Sequence, residues 1–252
     1  MISMNNLGSN GRLGNQMFQY ASLKGIARNN GYDFCIPYSM EIDPFFDHML
    51  SATFEMSSVN FGHGNFDGRN ENDFTFDNDL FENCPDNIDL SGYFQSPKYF
   101  NHIKEEILKD FTFREKYDAE NIYDVTIHVR RTDYVPKTEY HGLCSEEYYV
   151  EAMENFPVDS TFLVVSDDIE WCKQQKIFEG CDFSSDNNYK KDLYLMTKSK
   201  NNIIANSSFS WWGAWLNQNP DKIVIAPKFW FNPNYMPIEK TQDLVPNEWI
   251  RL

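Results

Sequence analysis

His128-Val129-Arg130-Arg131-Thr132-Asp133-Tyr134 closes an apolar run, Val125, Ile127 and Val129, that has the composition of a buried strand. Two adjacent arginines follow it, then an aspartate two residues on. A guanidinium keeps its charge at any working pH and offers a planar fork of donors that fits a phosphate bidentately. Open α/β sheets bind ligands beyond the carboxyl ends of their strands, so Arg130 and Arg131 point to an anionic substrate. Taken alone, Arg-Arg-x-Asp also fits a surface ion pair at a strand end, and the rest of the chain has to decide.

Working outward from that strand, taken as residues 123–129, the pattern becomes regular. Residues 146–155 have helical spacing, 161–165 read as a strand running into a helix to about 175, and 190–198 as a helix. A strand over 202–205 leads to a helix ending near 217, and a strand over 222–226 follows Pro220. Strand, loop and helix repeated in this way predict a parallel sheet covered on both faces. On the amino-terminal side, Gly11-Arg12-Leu13-Gly14-Asn15-Gln16 is a glycine-bearing turn before a helix over 17–26, which Gly31 ends, and 32–36 suit the next strand. Residues 54–90, rich in Asn, Asp, Gly and Phe, read as irregular loops with short strands, and 97–108 as a helix with Pro97 near its start. A boundary near 115 divides the chain into two α/β domains, 1–115 and 116–252, with a cleft between them. The tail from Pro227, carrying Pro233, Pro237 and Pro246, reads as a loop wrapping the surface.

The 252 residues suffice for a full core, with 41% hydrophobic and 16% aromatic residues. A net charge of −16 argues against nucleic acid as a partner and against adsorption to an anionic membrane. In so acidic a chain, Arg12, Arg130 and Arg131 stand out, because an acidic protein that binds an anion must gather positive charge where the anion sits. Cys35, Cys84, Cys144, Cys172 and Cys181 are odd in number and contain no C-x-x-C, which suggests neither a disulfide framework nor a zinc site. No secretion signal and no apolar run of about 18 residues is present, so a cytoplasmic protein without a transmembrane segment is expected.

Three loops fall at carboxyl ends of strands in the second half: 130–134, 166–168 and 206–210. Asn206, Ser207 and Ser208 open a helix, where hydroxyls, N–H groups and the positive helix end suit a phosphate, although Asn and Ser also cap helices without any ligand. Of Asp167 and Asp168, one is expected to cap the following helix and the other to meet a base or ribose. Asp77-Asn78-Asp79 has the D-x-D form of metal-dependent sugar transferases, but it lies where such triplets arise by chance and is set aside. Trp211, Trp212 and Trp215 fit helix packing better than sugar stacking. His128 is placed to meet a nucleotide, whereas His48, His63 and His102 form no ligand spacing.

Together these blocks resemble the soluble bacterial α-1,2-fucosyltransferases. The resemblance rests on 11–21 (Gly-Arg-Leu-Gly-Asn-Gln-Met-Phe-Gln-Tyr-Ala), on Gly92-Tyr93-Phe94-Gln95 with Tyr99-Phe100, on 128–134, and on 203–212 (Ile-Ile-Ala-Asn-Ser-Ser-Phe-Ser-Trp-Trp), all in the family's order. It departs where Thr132 and Arg12 each stand in place of the family's usual glycine. The resemblance implies a GT-B type fold, two Rossmann-like domains with parallel sheets facing a central cleft, the first on the acceptor side and the second binding the GDP-sugar. It implies transfer of L-fucose from GDP-L-fucose to the 2-hydroxyl of a terminal β-galactoside, on an oligosaccharide or glycolipid, with inversion, no metal and no cofactor. It further implies assembly of surface glycans, peripheral to the inner membrane. A related transferase using another GDP-sugar and a galactoside-binding lectin are the alternatives.

By that resemblance Arg130 stabilises the departing diphosphate, while Arg131 supports the loop through an ion pair. Arg12, Gly14, Asn15 and Gln16 close over the pyrophosphate and fucose. Ser207, Ser208 and Phe209 contact phosphate and nucleotide beside Asn206, and His128 with Asp167 or Asp168 holds the guanosine. The base stays open among Asp133, Glu139 and His141, or none: relatives favour a glutamate at the place of Glu139, and Asp133 can instead anchor Arg131.

Overall fold

The computed structural model describes residues 1–9, 11–37, 49–56, 60–71, 73–117, 122–185 and 187–252. His48 and parts of the polar stretches at 54–90 and 114–121 lie outside the described residues. The chain forms two compact units, Met1–Glu115 with Glu239–Pro246, and Lys116–Ile238 with Asn247–Leu252. Where one boundary near 115 was expected, the tail thus returns to the first unit over Glu239–Pro246. The Phe76 amide donates to Asp243 at 3.0 Å, Lys98 forms an ion pair with the same carboxylate, and Leu244 is fully buried.

The first unit runs β1 (Ile2–Ser3), α1 (Leu13–Asn30), β2 (Phe34–Cys35), α2 (Met49–Thr53), β3 (Asp67–Asn70), α3 (Asn78–Glu82), β4 (Ile88–Ser91) and α4 (Lys104–Asp110). Its sheet has the order β2-β1-β4-β3 with every pairing parallel. Helix α1 is buried on nearly all sides and longer than its apolar spacing predicts. Buried Gln16, Gln19, Ser22 and Lys24 interrupt the apolar rhythm, and each needs a partner in the interior. Gln19 donates to the Gly92 carbonyl at 2.8 Å, Ser22 to that of Phe94 at 2.9 Å, and Lys24 reaches Asp110 at 2.6 Å. Gly31, at φ 69°, ends the helix in the left-handed conformation. Residues 97–108 are not one helix: two 3₁₀ turns, Pro97–Tyr99 and Asn101–Ile103, precede α4. The first turn presses so close to α1 that a Cβ on Gly25 would lie 1.9 Å from the Tyr99 carbonyl oxygen.

The second unit runs β5 (Val125–Val129), α5 (Glu146–Met153), β6 (Phe162–Ser166), α6 (Ile169–Cys172), β7 (Asp182–Phe183), α7 (Tyr189–Lys198), β8 (Asn201–Ile203), α8 (Ser208–Leu216), β9 (Val224–Ala226) and β10 (Ile250–Arg251). These strands form one parallel sheet, β10-β9-β8-β5-β6-β7. The tail is therefore not all loop, because β10 pairs with β9 at the sheet edge. Val125, Ile127 and Val129 pack with Tyr148, Tyr149 and Ala152 of α5 in one core cluster. Trp211, Trp212, Trp215 and Trp249 are buried together, so the tryptophans of α8 serve packing. Among the described residues no helix is long and apolar enough to cross a membrane.

Two buried charge clusters hold the first unit. Asp110 accepts from Lys24 and, at 2.7 Å, from the Tyr20 hydroxyl, with the Lys24 and Asp110 side chains 3% and 2% exposed. Removing Asp110 leaves the buried Lys24 ammonium only Glu106, 3.2 Å away and partly exposed, so Asp110→Ala should lower the unfolding free energy by about 3–5 kcal/mol in urea titrations, and Lys24→Met with Asp110→Leu should recover most of it. The Glu71 carboxylate accepts the N–H groups of Tyr93 and Phe94 at 2.7 and 2.9 Å, clamping the turn after β4. Burial pushes Glu71 from 4.5 up to about 7, although those two N–H bonds pull it down. The folded protein then holds this proton more tightly than the unfolded chain, so the Glu71 contribution to stability is greatest below about pH 4.5 and falls as pH rises towards 7. Glu71→Gln should flatten that slope, by about 2–3 kcal/mol across the interval, in unfolding curves recorded at several pH values.

Candidate active site

Parallel pairing places the carboxyl ends of β5, β6, β8 and β9 along one edge, with Val129 opposite Ser166 and Ile203 opposite both Ile127 and Ile225. The residues just past those strands therefore gather. Arg130 pairs with Asp167 at 2.8 Å and with Asp133, and its side chain is only 14% exposed. Asp167 also accepts from the Arg131 amide at 2.9 Å and from the Thr132 hydroxyl. Burial works to raise the Asp167 pKa, but the Arg130 guanidinium and these hydrogen bonds outweigh it and hold the group below the usual carboxylate range. Thr132, in the place of a glycine, thus supplies a hydroxyl to the brace. Arg131 pairs with Asp168 at 3.3 Å and lies 3.5 Å over the Trp171 ring.

The geometry corrects two expectations. Asp133 anchors Arg130, not Arg131, because three residues on it comes back under the first guanidinium. Neither Asp167 nor Asp168 caps α6 with its side chain: Asp168 holds the cap position, but its carboxylate is drawn to Arg131.

His128 alternates to the sheet face opposite the α5 core, where its ring lies 5.5 Å from Phe209. It is 3% exposed, and its Nδ1 has no hydrogen-bond partner among the described residues. Burial drives its pKa far down, with Asp167 opposing, so the imidazole is neutral. Ser207 takes the cap position of α8 without a side-chain cap bond, and Ser208 and Phe209 are partly exposed in the first turn, at the positive helix end. Asn206 is turned inward. Its amide donates to the carbonyls of His141, Gly142 and Trp230, which makes it a brace for two loops rather than a free ligand. Tyr134 donates to the Asn206 carbonyl at 3.2 Å.

Of the possible bases, Asp133 touches Arg130. The His141 ring is stacked 4.1 Å from Tyr134, and burial lowers its pKa. Glu139 is exposed and joins none of these ion pairs or hydrogen bonds. In the D-x-D triplet, Asp77 caps α3 through the Leu80 amide at 2.9 Å and pairs with Arg69 at 3.1 Å.

In the first unit the predicted turn is intact. Arg12 holds the cap position of α1 in extended conformation, with its side chain exposed, so a non-glycine residue fits there. Gly11, at φ +88°, leaves no room for more: a Cβ would lie 2.2 Å from Asn15 Nδ2. Gln95 donates to Asn15 Oδ1 at 2.8 Å, which joins two sequence blocks 80 residues apart. Gly14 and Gln16 are buried in the start of the helix. Sequence reasoning missed Glu71, Trp171 and the Tyr134–His141 stack, which lie outside the motifs or depend on loops folding back.

A profile of "Glycosyl transferase family 11" matches residues 1–252. An alpha-1,2-colitosyltransferase of Escherichia coli is 32% identical, with 96% of each chain covered. The galactoside 2-alpha-L-fucosyltransferase Sec1 of Mus musculus is 28% identical over 95% of this chain and 71% of that protein. Among solved structures, POFUT1 in complex with GDP superposes with a TM-score of 0.56 at 11% identity, covering 89% of this chain and 97% of that one. Fucosyltransferase NodZ from Bradyrhizobium gives 0.51 at 12% identity, covering 84% and 91%. The α/β fold with parallel sheets is of the GT-B type expected from the sequence. The chain belongs to glycosyl transferase family 11 and is a glycosyltransferase.

Proposed function

We propose that the protein transfers L-fucose from GDP-L-fucose to the 2-hydroxyl of a terminal β-galactoside, with inversion at the anomeric carbon and without a metal ion. The observation that carries this is Arg130, a nearly buried guanidinium fixed at a strand end beside a neutral histidine and a helix amino terminus. The names of both relatives above fit the transfer: one is an alpha-1,2 transferase and the other a galactoside 2-alpha-L-fucosyltransferase.

As the bond from the sugar to the diphosphate breaks, negative charge grows on the leaving group and the sugar becomes oxocarbenium-like. A preorganised cation stabilises that charge without reorganising at the moment of reaction. Arg130 is assigned this role. Asp167 keeps the guanidinium aimed, while the diphosphate competes with Asp133 for its other nitrogen. Asp133, once displaced, is assigned the acceptor proton, because it alone of the three candidate bases starts in contact with Arg130. Neutral His128, Asp168 and the start of α8 with Ser207, Ser208 and Phe209 are assigned to the nucleotide. Arg12 and Asn15 are assigned to the donor from the first unit.

Arg130→Ala should reduce kcat/KM by about 2–4 kcal/mol, roughly 30- to 1000-fold, and weaken GDP binding in calorimetry. Arg130→Lys should recover only part, since an ammonium keeps the charge but not the fork. Asp133→Asn should lower kcat by roughly 10²–10⁴-fold, whereas Glu139→Gln stays near wild type. Equal loss in both would remove Asp133 from its role.

The second reading is a different sugar on the donor, favoured by the identity to a colitosyltransferase. Mass spectrometry of products from a panel of GDP-sugars against galactose-terminated acceptors separates the two. Fucose should be transferred fastest, at an unchanged rate in excess EDTA. Preference for another sugar moves the assignment to that donor, and a rate abolished by EDTA refutes metal independence.

A further inference from the structure

The loop after Arg130 continues as a line of rings. The Tyr134 ring centre lies 5.3 Å from the Arg130 guanidinium, and the ring stacks on His141 at 4.1 Å with planes 9° apart. His141 in turn lies 5.8 Å from Phe231. This ladder ends at a cavity of about 300 Å³ whose walls include His141, Ser145, Lys228, Phe229 and Phe231. Tyr140 and Tyr235 meet edge to face at 4.7 Å beside it. Phe229 and Tyr235 are 46% and 51% exposed, an unusual grouping of open rings.

The cavity's chemistry narrows its occupant. Among the described residues no Asp or Glu side chain lines it, although the chain carries 38 of them. Ring faces alternate with an imidazole, a hydroxyl and an ammonium. Such a mixture of apolar walls with a few placed polar groups suits a small molecule that is flat and greasy on one face and hydroxylated at its edge. A hexopyranoside has that form.

Position narrows it further. His128 and Phe209 lie on one face of the sheet, while the cavity includes Ser145 and Tyr148, at the cap and first turn of α5 on the other. Arg130 stands at the strand end between them. Inversion requires the attacking hydroxyl to approach from the side opposite the leaving group. We propose that this cavity and its aromatic rim form an acceptor subsite for a neutral hexopyranoside, so that the second unit binds acceptor as well as donor. The proposal rests on the transferase reading above.

The test compares Phe229→Ala and Tyr235→Ala with wild type, using GDP-fucose and a β-galactoside acceptor such as lactose, with thermal melts to check folding. Both rings are exposed, so the variants should melt as wild type does. The expected result is an acceptor KM raised tenfold or more in Phe229→Ala and severalfold in Tyr235→Ala. GDP affinity in calorimetry should stay within twofold, and Phe229→Trp should restore the acceptor KM. An acceptor KM within twofold of wild type in both variants overturns the proposal while leaving the transferase reading intact. So does a loss of GDP affinity in Phe229→Ala, which would make the cavity part of the nucleotide site. A wild-type protein that transfers no GDP-sugar to any galactoside overturns the transferase reading and this subsite with it.

Discussion

A guanidinium shared between two carboxylates governs the second unit. Arg130 could not stay nearly buried at a strand end without compensation, since an unpaired charge there would carry a large desolvation cost. Asp167 and Asp133 supply it. Asp167 also takes the next amide and the Thr132 hydroxyl, so the backbone between Arg130 and Thr132 is fixed by one side chain from the neighbouring strand. Arg131 is then free to brace the outer side, against Asp168 and the Trp171 ring. Charge is thus gathered in a chain whose overall balance opposes it, and two adjacent residues of one type do different work.

The first unit solves a related problem in the opposite way. There the polar groups are placed deep inside a helix, where each must find a defined partner. Gln19, Ser22 and the Glu71 carboxylate converge on the turn after β4, and that turn carries Gln95 to Asn15. Two sequence blocks far apart in the chain become one constellation because β1 and β4, the strands that precede them, pair side by side in parallel. Interior polarity of this kind specifies one packing, since any slip would strand several groups at once.

The parallel α/β character was legible because β5 and β6 alternate with helices of clear spacing. The loops at strand ends were legible for the same reason, and the motifs pointed to the family. Two-residue strands such as β1, β7 and β10 show no alternation and cannot be read locally; they exist because a neighbouring strand offers them a partner. Helix α1 was underestimated because its inward residues include amides and a lysine. The stretch 97–108 looked helical, yet close passage over α1 breaks it into tight turns. Adjacency in sequence does not say which of two arginines Asp133 meets, and the fold pairs it with Arg130. The bracing of two loops by the Asn206 amide is not legible locally, because those loops are brought to it by tertiary folding alone.

The segment Glu239–Pro246 has a consequence for taking the molecule apart. It belongs to the first unit although the residues on both sides of it belong to the second, so the polypeptide passes between the units three times. A fragment ending at Glu115 would lose the carboxylate of Asp243, leaving the Phe76 amide and the Lys98 ammonium to water. The modules are interlaced rather than strung in series. A chimera with a relative must therefore be spliced at three junctions.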